Sequence, residues 1–149
     1  MVSPVEDRAY IRELLQLAVL DDLRGGHSAI ELFGQRLEHP IMVAPVAYQR
    51  LFHPAGELAV AQGAAAMQAG LVVSAFTSTP LPDIAAQTTS PLWFQLYWQG
   101  KRAASLALVR LAEAEGCRAL MFTVDAPVGG VRNREQRAGF CLPAGIAAV

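Results

Sequence analysis

The chain has 149 residues, of which 53% are hydrophobic and 17% charged, and a formal net charge of −1. That balance describes a folded chain with one domain's worth of core and excludes a disordered one. It gives no electrostatic basis for a nucleic-acid partner, and no run reaches the roughly 18 consecutive apolar residues of a membrane span.

In chain order, Ser3-Pro4-Val5-Glu6 reads as a capping box with proline at the first helical position, and Ile11, Leu14, Leu15 and Ala18 then repeat on one helix face. This helix should end before Arg24-Gly25-Gly26, and residues 29–38 form a short extended pair. From residue 40 the texture becomes alternating strand and helix. Strands are predicted at 41–45, 71–75, 93–98 and 119–124, and in the first of these Ile41-Met42-Val43-Ala44 is a continuous apolar run of the kind buried on both faces. Helices are predicted at 56–69 with Gly70 as the stop, at Leu81 to Gln87, and at 101–115 with Gly116 as the cap. In the last of these, Ala104, Ala107, Leu108 and Leu111 should share one apolar face, with Arg102, Arg110 and Glu113 opposite. The order helix, then (βα)(βα)(βα)β, implies parallel strands, adjacent in sequence order, in a single domain or part of one. The early acids and the lack of an apolar stretch at Met1 to Arg8 speak against a secretory signal, so a cytoplasmic protein is expected. Cys117 and Cys141 form no metal pattern and are not expected to pair.

Reactive groups in parallel α/β folds gather at the C-terminal ends of the strands. Here those ends give Ala44-Pro45-Val46-Ala47, then Ser74 followed by Thr77, Ser78 and Thr79, then Gln95 and Tyr97, then Thr123 and Asp125, with Arg132 in the next loop. Alternation puts Gln95 and Tyr97 on one side of their strand, and Thr123 and Asp125 likewise. A buried glutamine needs partners for its amide: neighbouring backbone is the plainer choice, a flat heteroatom-rich ring the other. Tyr97 suits a core or rim position as well as a catalytic one. Arg132, in the run Arg132-Asn133-Arg134-Glu135-Gln136-Arg137, suits a solvated loop. The sequence shows no GxGxxG after the first strand and no GxxxxGK[ST], which weakens nucleotide-binding open-sheet readings.

The stretches Pro40-Ile41-Met42-Val43-Ala44-Pro45, His53-Pro54-Ala55-Gly56-Glu57, Trp93-Phe94-Gln95-Leu96-Tyr97, Thr123-Val124-Asp125-Ala126-Pro127, and Gly130-Val131-Arg132-Asn133-Arg134-Glu135 through Phe140-Cys141-Leu142-Pro143 occur in this order. Together they resemble the N-terminal half of the FMN-dependent α-hydroxy-acid dehydrogenase and oxidase family. The resemblance implies an α/β fold that is part of a (β/α)₈ barrel, roughly its first four βα units after an N-terminal helix. It implies FMN as cofactor and a small L-2-hydroxy acid, lactate-, glycolate- or mandelate-like, as substrate, oxidised to the 2-oxo acid. Ala44, Pro45, Val46 and Ala47 would lay backbone against the isoalloxazine ring, and Ser74, Gln95 and Thr123 would bond its polar edge. Tyr97 would bond the substrate near its hydroxyl, Arg132 would clamp its carboxylate, and Asp125 would orient a catalytic histidine.

The family's second half should carry the strand lysine, the histidine base with a nearby arginine, and the phosphate-binding loops. Histidines stand here only at 27, 39 and 53, and His53 reads as structural. A complete barrel of this kind needs about 250 residues. The 149 residues alone are therefore expected to be inactive on 2-hydroxy acids, to leave strand edges and an inner barrel face uncovered, and to form a homo-oligomer or pair with a complementary half-barrel chain. A non-catalytic α/β half-barrel module that assembles with such a chain is the alternative.

Overall fold

A computed structural model describes residues 24–125 and 130–148, so the expected first helix lies outside the described residues. Strands β1 (Ile30–Leu32) and β2 (Gln35–Leu37) pair antiparallel. Their two-residue turn, Phe33-Gly34, has positive φ at both positions, the twist that matches a tight hairpin. Four parallel strands follow: β3 (Met42–Val43), β4 (Gly70–Ser74), β5 (Leu92–Tyr97) and β6 (Ala119–Thr123). They stand in the sheet in sequence order, as the alternation predicts. A 3₁₀ turn (Gln49–Leu51) and helix α1 (Gly56–Ala66) link β3 to β4, α2 (Leu81–Ala85) links β4 to β5, and α3 (Arg102–Ala114) links β5 to β6. A short helix α4 (Asn133–Arg137) lies beyond.

The register separates two faces. Leu71, Val73 and Ala75 next to Leu92, Phe94 and Leu96 form the outer face and pack with Ala61 and Ala64 of α1, Leu81 and Ile84 of α2, and Ala112 of α3. Full burial of a side chain such as Leu96 or Ile84 contributes about 1.5–3 kcal/mol. The opposite, inner face carries Val72 and Ser74, then Trp93, Gln95 and Tyr97, then Met121 and Thr123. At its N-terminal end the hairpin closes over it: the Trp93 indole N–H donates to Gln35 Oε1 at 3.2 Å, and the Phe33 ring lies 5.5 Å from that of Trp93. Val72 and Trp93 are therefore buried, and the expected bare inner face is corrected at this end. The uncovered apolar side chains cluster instead on β6, where Leu120, Met121 and Phe122 are exposed on both faces.

Three local expectations are also corrected. Helix α1 stops at Ala66, before Gly70. Gln68 adopts the left-handed conformation, its N–H bonds Ala65 O, and the Ala69 N–H bonds Ala64 O, which closes the helix without glycine. Gly70 is the first residue of β4, where a Cβ would come within 2.6 Å of Met42 Cε. Gly116, by contrast, does end α3, with φ +79° and the same bond pattern around it. The inward face of α3 is Ser105, Leu108, Val109 and Ala112, while Ala104, Ala107 and Leu111 face out. Strand β3 covers only Met42 and Val43 of the expected 41–45, and Ile41 is exposed.

Candidate active site

Ser74 and Gln95 are register partners on adjacent strands, and Thr123 follows one pleat beyond Met121, the partner of Gln95. Their side chains join into one row: the Ser74 hydroxyl donates to Gln95 Oε1 at 3.2 Å, and Gln95 Nε2 donates to Thr123 Oγ1 at 2.8 Å. Ser74 Oγ also accepts the Phe76 N–H at 3.1 Å. The amide of Gln95, 2% exposed, is thus held by side chains on both neighbouring strands and not by nearby backbone. Among the described residues, one N–H and one carbonyl lone pair of this amide have no partner. Thr123 is half-buried and is the accessible end of the row.

The loop after β3 lies beside it. In it Ala44 and Val46 are exposed, and Pro45 and Ala47 half-buried. Tyr48, Phe76 and Tyr97 stack in a file across the ends of β3, β4 and β5, with centroids 6.2 and 5.5 Å apart. Tyr97 is therefore a half-buried rim aromatic beside the polar row. Asp125 is exposed just past β6. Arg132 precedes α4 with its side chain 75% exposed and only a loose contact to Glu135 at 3.6 Å. The strand ends thus bring together Ser74, Gln95, Thr123 and Tyr97, whereas Asp125 and Arg132 have open side chains.

Sequence reasoning does not single out Glu57, the last residue of HPAGE. It is 3% exposed, and its carboxylate accepts the Gln49 N–H (3.2 Å), the Ser78 N–H (2.7 Å), the Ser78 hydroxyl (2.8 and 2.9 Å to its two oxygens) and the Thr79 hydroxyl (2.8 Å). Burial pushes this carboxyl up. Hydrogen bonds from the Ser78 and Glu57 backbone and from the Thr79 and Ser78 hydroxyls outweigh that, and its pKa lies below the ordinary value. The signal for it in the sequence is an acid at the first turn of an otherwise apolar helix, together with the Thr77-Ser78-Thr79 run at a strand end. His53 is structural, as expected: its Nδ1 accepts the Ala55 N–H at 3.1 Å and shapes the turn into α1. Burial, with Glu115 nearby, pushes the Cys117 thiol up to about 11, so it carries no nucleophilic thiolate at neutral pH.

Among the described residues no cluster of His, Cys, Asp and Glu could hold a metal ion, and no helix is long and apolar enough to cross a membrane. A concavity of about 450 Å³, lined by Gln35, Arg36, Thr88, Ser90 and Arg118, opens at the opposite, N-terminal end of the strands. Its lining includes none of Ser74, Gln95, Tyr97, Thr123, Asp125 and Arg132, and it has no part in this site.

A parallel sheet in sequence order, with a polar row and open loop backbone at its C-terminal edge, is the arrangement expected of one side of a flavin-binding barrel. Residues 5–149 match the FMN-dependent dehydrogenase family, and the chain belongs to it. Over 142 residues it is 47% identical to an L-lactate oxidase of Roseobacter sp. (strain GAI101), covering 95% of this chain and 38% of that one. Over 130 residues it is 48% identical to a 4-hydroxymandelate oxidase of Amycolatopsis orientalis, covering 87% and 36%. A solved mandelate oxidase with 3,3-difluoro-2-hydroxy-3-phenylpropionic acid superposes with a TM-score of 0.84 at 44% identity, covering 97% of this chain and 44% of that one. A mandelate oxidase variant with a C4a-OH-FMN adduct gives 0.82 at 46% identity, covering 88% and 40%. The chain spans less than half the length of these relatives, and its sheet is part of a (β/α)₈ barrel.

Proposed function

We propose that these residues form the flavin-facing and substrate-binding side of an FMN-dependent oxidoreductase that converts small L-2-hydroxy acids, lactate- or mandelate-like, into 2-oxo acids. The observation that carries this reading is the Ser74–Gln95–Thr123 row, which crosses three strands and leaves amide capacity unpartnered among the described residues. Such a row suits the isoalloxazine edge, which presents donors and acceptors in one plane. The small side chains of Ala44 and Ala47, with Pro45 and Val46, leave backbone free to lie against a flat ring. When bound, FMN accepts the two electrons that leave the substrate.

The protein's own work is to place the hydroxy acid. Arg132 pairs with the carboxylate through its planar fork, and Tyr97, fixed by its stack on Phe76, bonds near the hydroxyl oxygen. Asp125 orients an imidazole base from the family's second half and stabilises it once protonated. The solved mandelate oxidases include variants at one tyrosine and at one arginine, and Tyr97 and Arg132 stand the same distance apart along this chain, which supports their assignment. The test is a titration of the protein with FMN, followed by L-lactate or (S)-mandelate under anaerobic conditions. With the complementary half that supplies the phosphate-binding loops present, quenched flavin fluorescence is expected on binding, and its absence would overturn the reading.

A second reading rests on β6, whose far edge has no partner strand among the described residues and whose Leu120, Met121 and Phe122 are uncovered. On that reading the unit docks a further βα segment, from the same polypeptide or from a second one, and closes the barrel there. Light scattering on dilute protein discriminates: a monomer that binds no hydrophobic dye would exclude it.

A further inference from the structure

We infer that Glu57 is a positioning residue for the flavin: its buried carboxylate fastens the loop after β3 to the loop after β4, and so fixes the backbone of Ala44–Ala47 relative to the Ser74–Gln95–Thr123 row. This rests on the flavin reading above and adds to it a residue that does not touch the ring.

Three successive backbone N–H groups leave the β3 loop, and each finds its partner across the gap. The Tyr48 N–H bonds Phe76 O at 3.0 Å, the Gln49 N–H bonds Glu57 Oε1 at 3.2 Å, and the Arg50 N–H bonds Ser78 Oγ at 3.2 Å. The Ser78 hydroxyl and N–H and the Thr79 hydroxyl in turn all donate to Glu57. The carboxylate is therefore the common acceptor of donors from both loops, and only an acceptor with two oxygens and no hydrogen can serve them all. Gly56, at φ +40°, brings Glu57 this close to the 3₁₀ turn: a Cβ there would lie 2.7 Å from Arg50 Cγ and 3.0 Å from Arg50 N. One loop carries the backbone assigned to the ring's face. The other continues directly from Ser74, at one end of the row assigned to its edge. A shift of one against the other changes the slot between them.

An amide at this position keeps the size and removes one acceptor, setting its N–H₂ against a hydroxyl or backbone donor. The test compares the FMN-loaded protein with its Glu57→Gln, Thr79→Val and Ser78→Ala variants. Flavin affinity is read by fluorescence quenching, and ring environment by visible circular dichroism of bound FMN. Glu57→Gln is expected to weaken FMN about tenfold, the worth of one charge-assisted hydrogen bond, and to alter the visible band. Thr79→Val, which leaves the carboxylate in place, should do the same to a smaller degree. If Glu57→Gln does not fold, Thr79→Val and Ser78→Ala carry the test alone. Variants with lowered unfolding midpoints but unchanged affinity and an unchanged flavin spectrum would overturn the inference, since Glu57 would then serve folding only. A parent protein that binds no FMN would instead overturn the flavin reading itself, and the two failures are distinct.

Discussion

Alanine should have opposite effects at two glycines of the same helix. At Gly56 the backbone is left-handed, and an added Cβ meets Arg50 Cγ at 2.7 Å, Arg50 N at 3.0 Å and Arg50 Cα at 3.3 Å. The left-handed conformation costs an L-residue about 1–2 kcal/mol. Pressing on the Arg50 backbone, whose N–H is committed to Ser78 Oγ, adds an overpacking cost of about 1–3 kcal/mol. Loss of unfolded-chain freedom returns only about 0.4–1 kcal/mol, so Gly56→Ala is expected to destabilise by about 1–5 kcal/mol. Gly63 lies in the same helix, and an added Cβ there would meet nothing within 4 Å. Alanine is the better helix former at such a position, and Gly63→Ala should stabilise by about 0.5–1 kcal/mol. Urea unfolding of both variants beside the parent, with the slopes checked for equality, measures the difference. Movement of both midpoints in the same direction, or a neutral Gly56→Ala, would refute the account of the turn.

The folded-state pKa of Glu57 is depressed, so the stability it contributes is present above the ordinary carboxylate pKa and disappears as pH falls through the folded value. Glu57→Gln should accordingly be less stable near neutral pH and show a flatter acid limb in unfolding midpoint against pH. Gln95→Leu strands the hydroxyls of Ser74 and Thr123 and should cost about 1–3 kcal/mol, seen in thermal unfolding, with flavin affinity lowered as well. Arg132 is 75% exposed, so Arg132→Leu should leave unfolding within about 0.5 kcal/mol of the parent. In the FMN-loaded active enzyme the same change should raise KM for the hydroxy acid by roughly 10- to 100-fold, from loss of a charge-assisted pair.

Much of the sheet is legible in the sequence because β4 and β5 announce themselves as largely apolar runs between helices, and the few polar residues in them, Ser74, Gln95 and Tyr97, stand out. Gly70 and Gly116 look alike, each following an Ala-rich helix, yet only Gly116 is a cap. What requires glycine at 70 is the Met42 side chain on the neighbouring strand, and a local reading does not see across a sheet. The inward face of α3 differs from the expected one for a similar reason. Counting apolar letters skips Ser105, which is buried because its hydroxyl accepts the Gln99 N–H at 3.2 Å. Glu57 escapes notice because its charge is explained by Ser78 and Thr79, 21 and 22 residues further on, and a lone acid early in a helix ordinarily means no more than a favourable dipole.

The hairpin at the floor of the sheet bears on the order in which the chain is made. Residues 30–37 pair with themselves, but a two-stranded ribbon is marginal in water. What holds it is Trp93, which bonds Gln35 across 58 residues of sequence. At ribosomal rates of about 5–20 residues per second, that interval lasts roughly 3–12 s. Throughout it the ribbon has no fastening from β5, and the floor of the half-barrel is secured only after the strand that carries Trp93 and Gln95 has been synthesised.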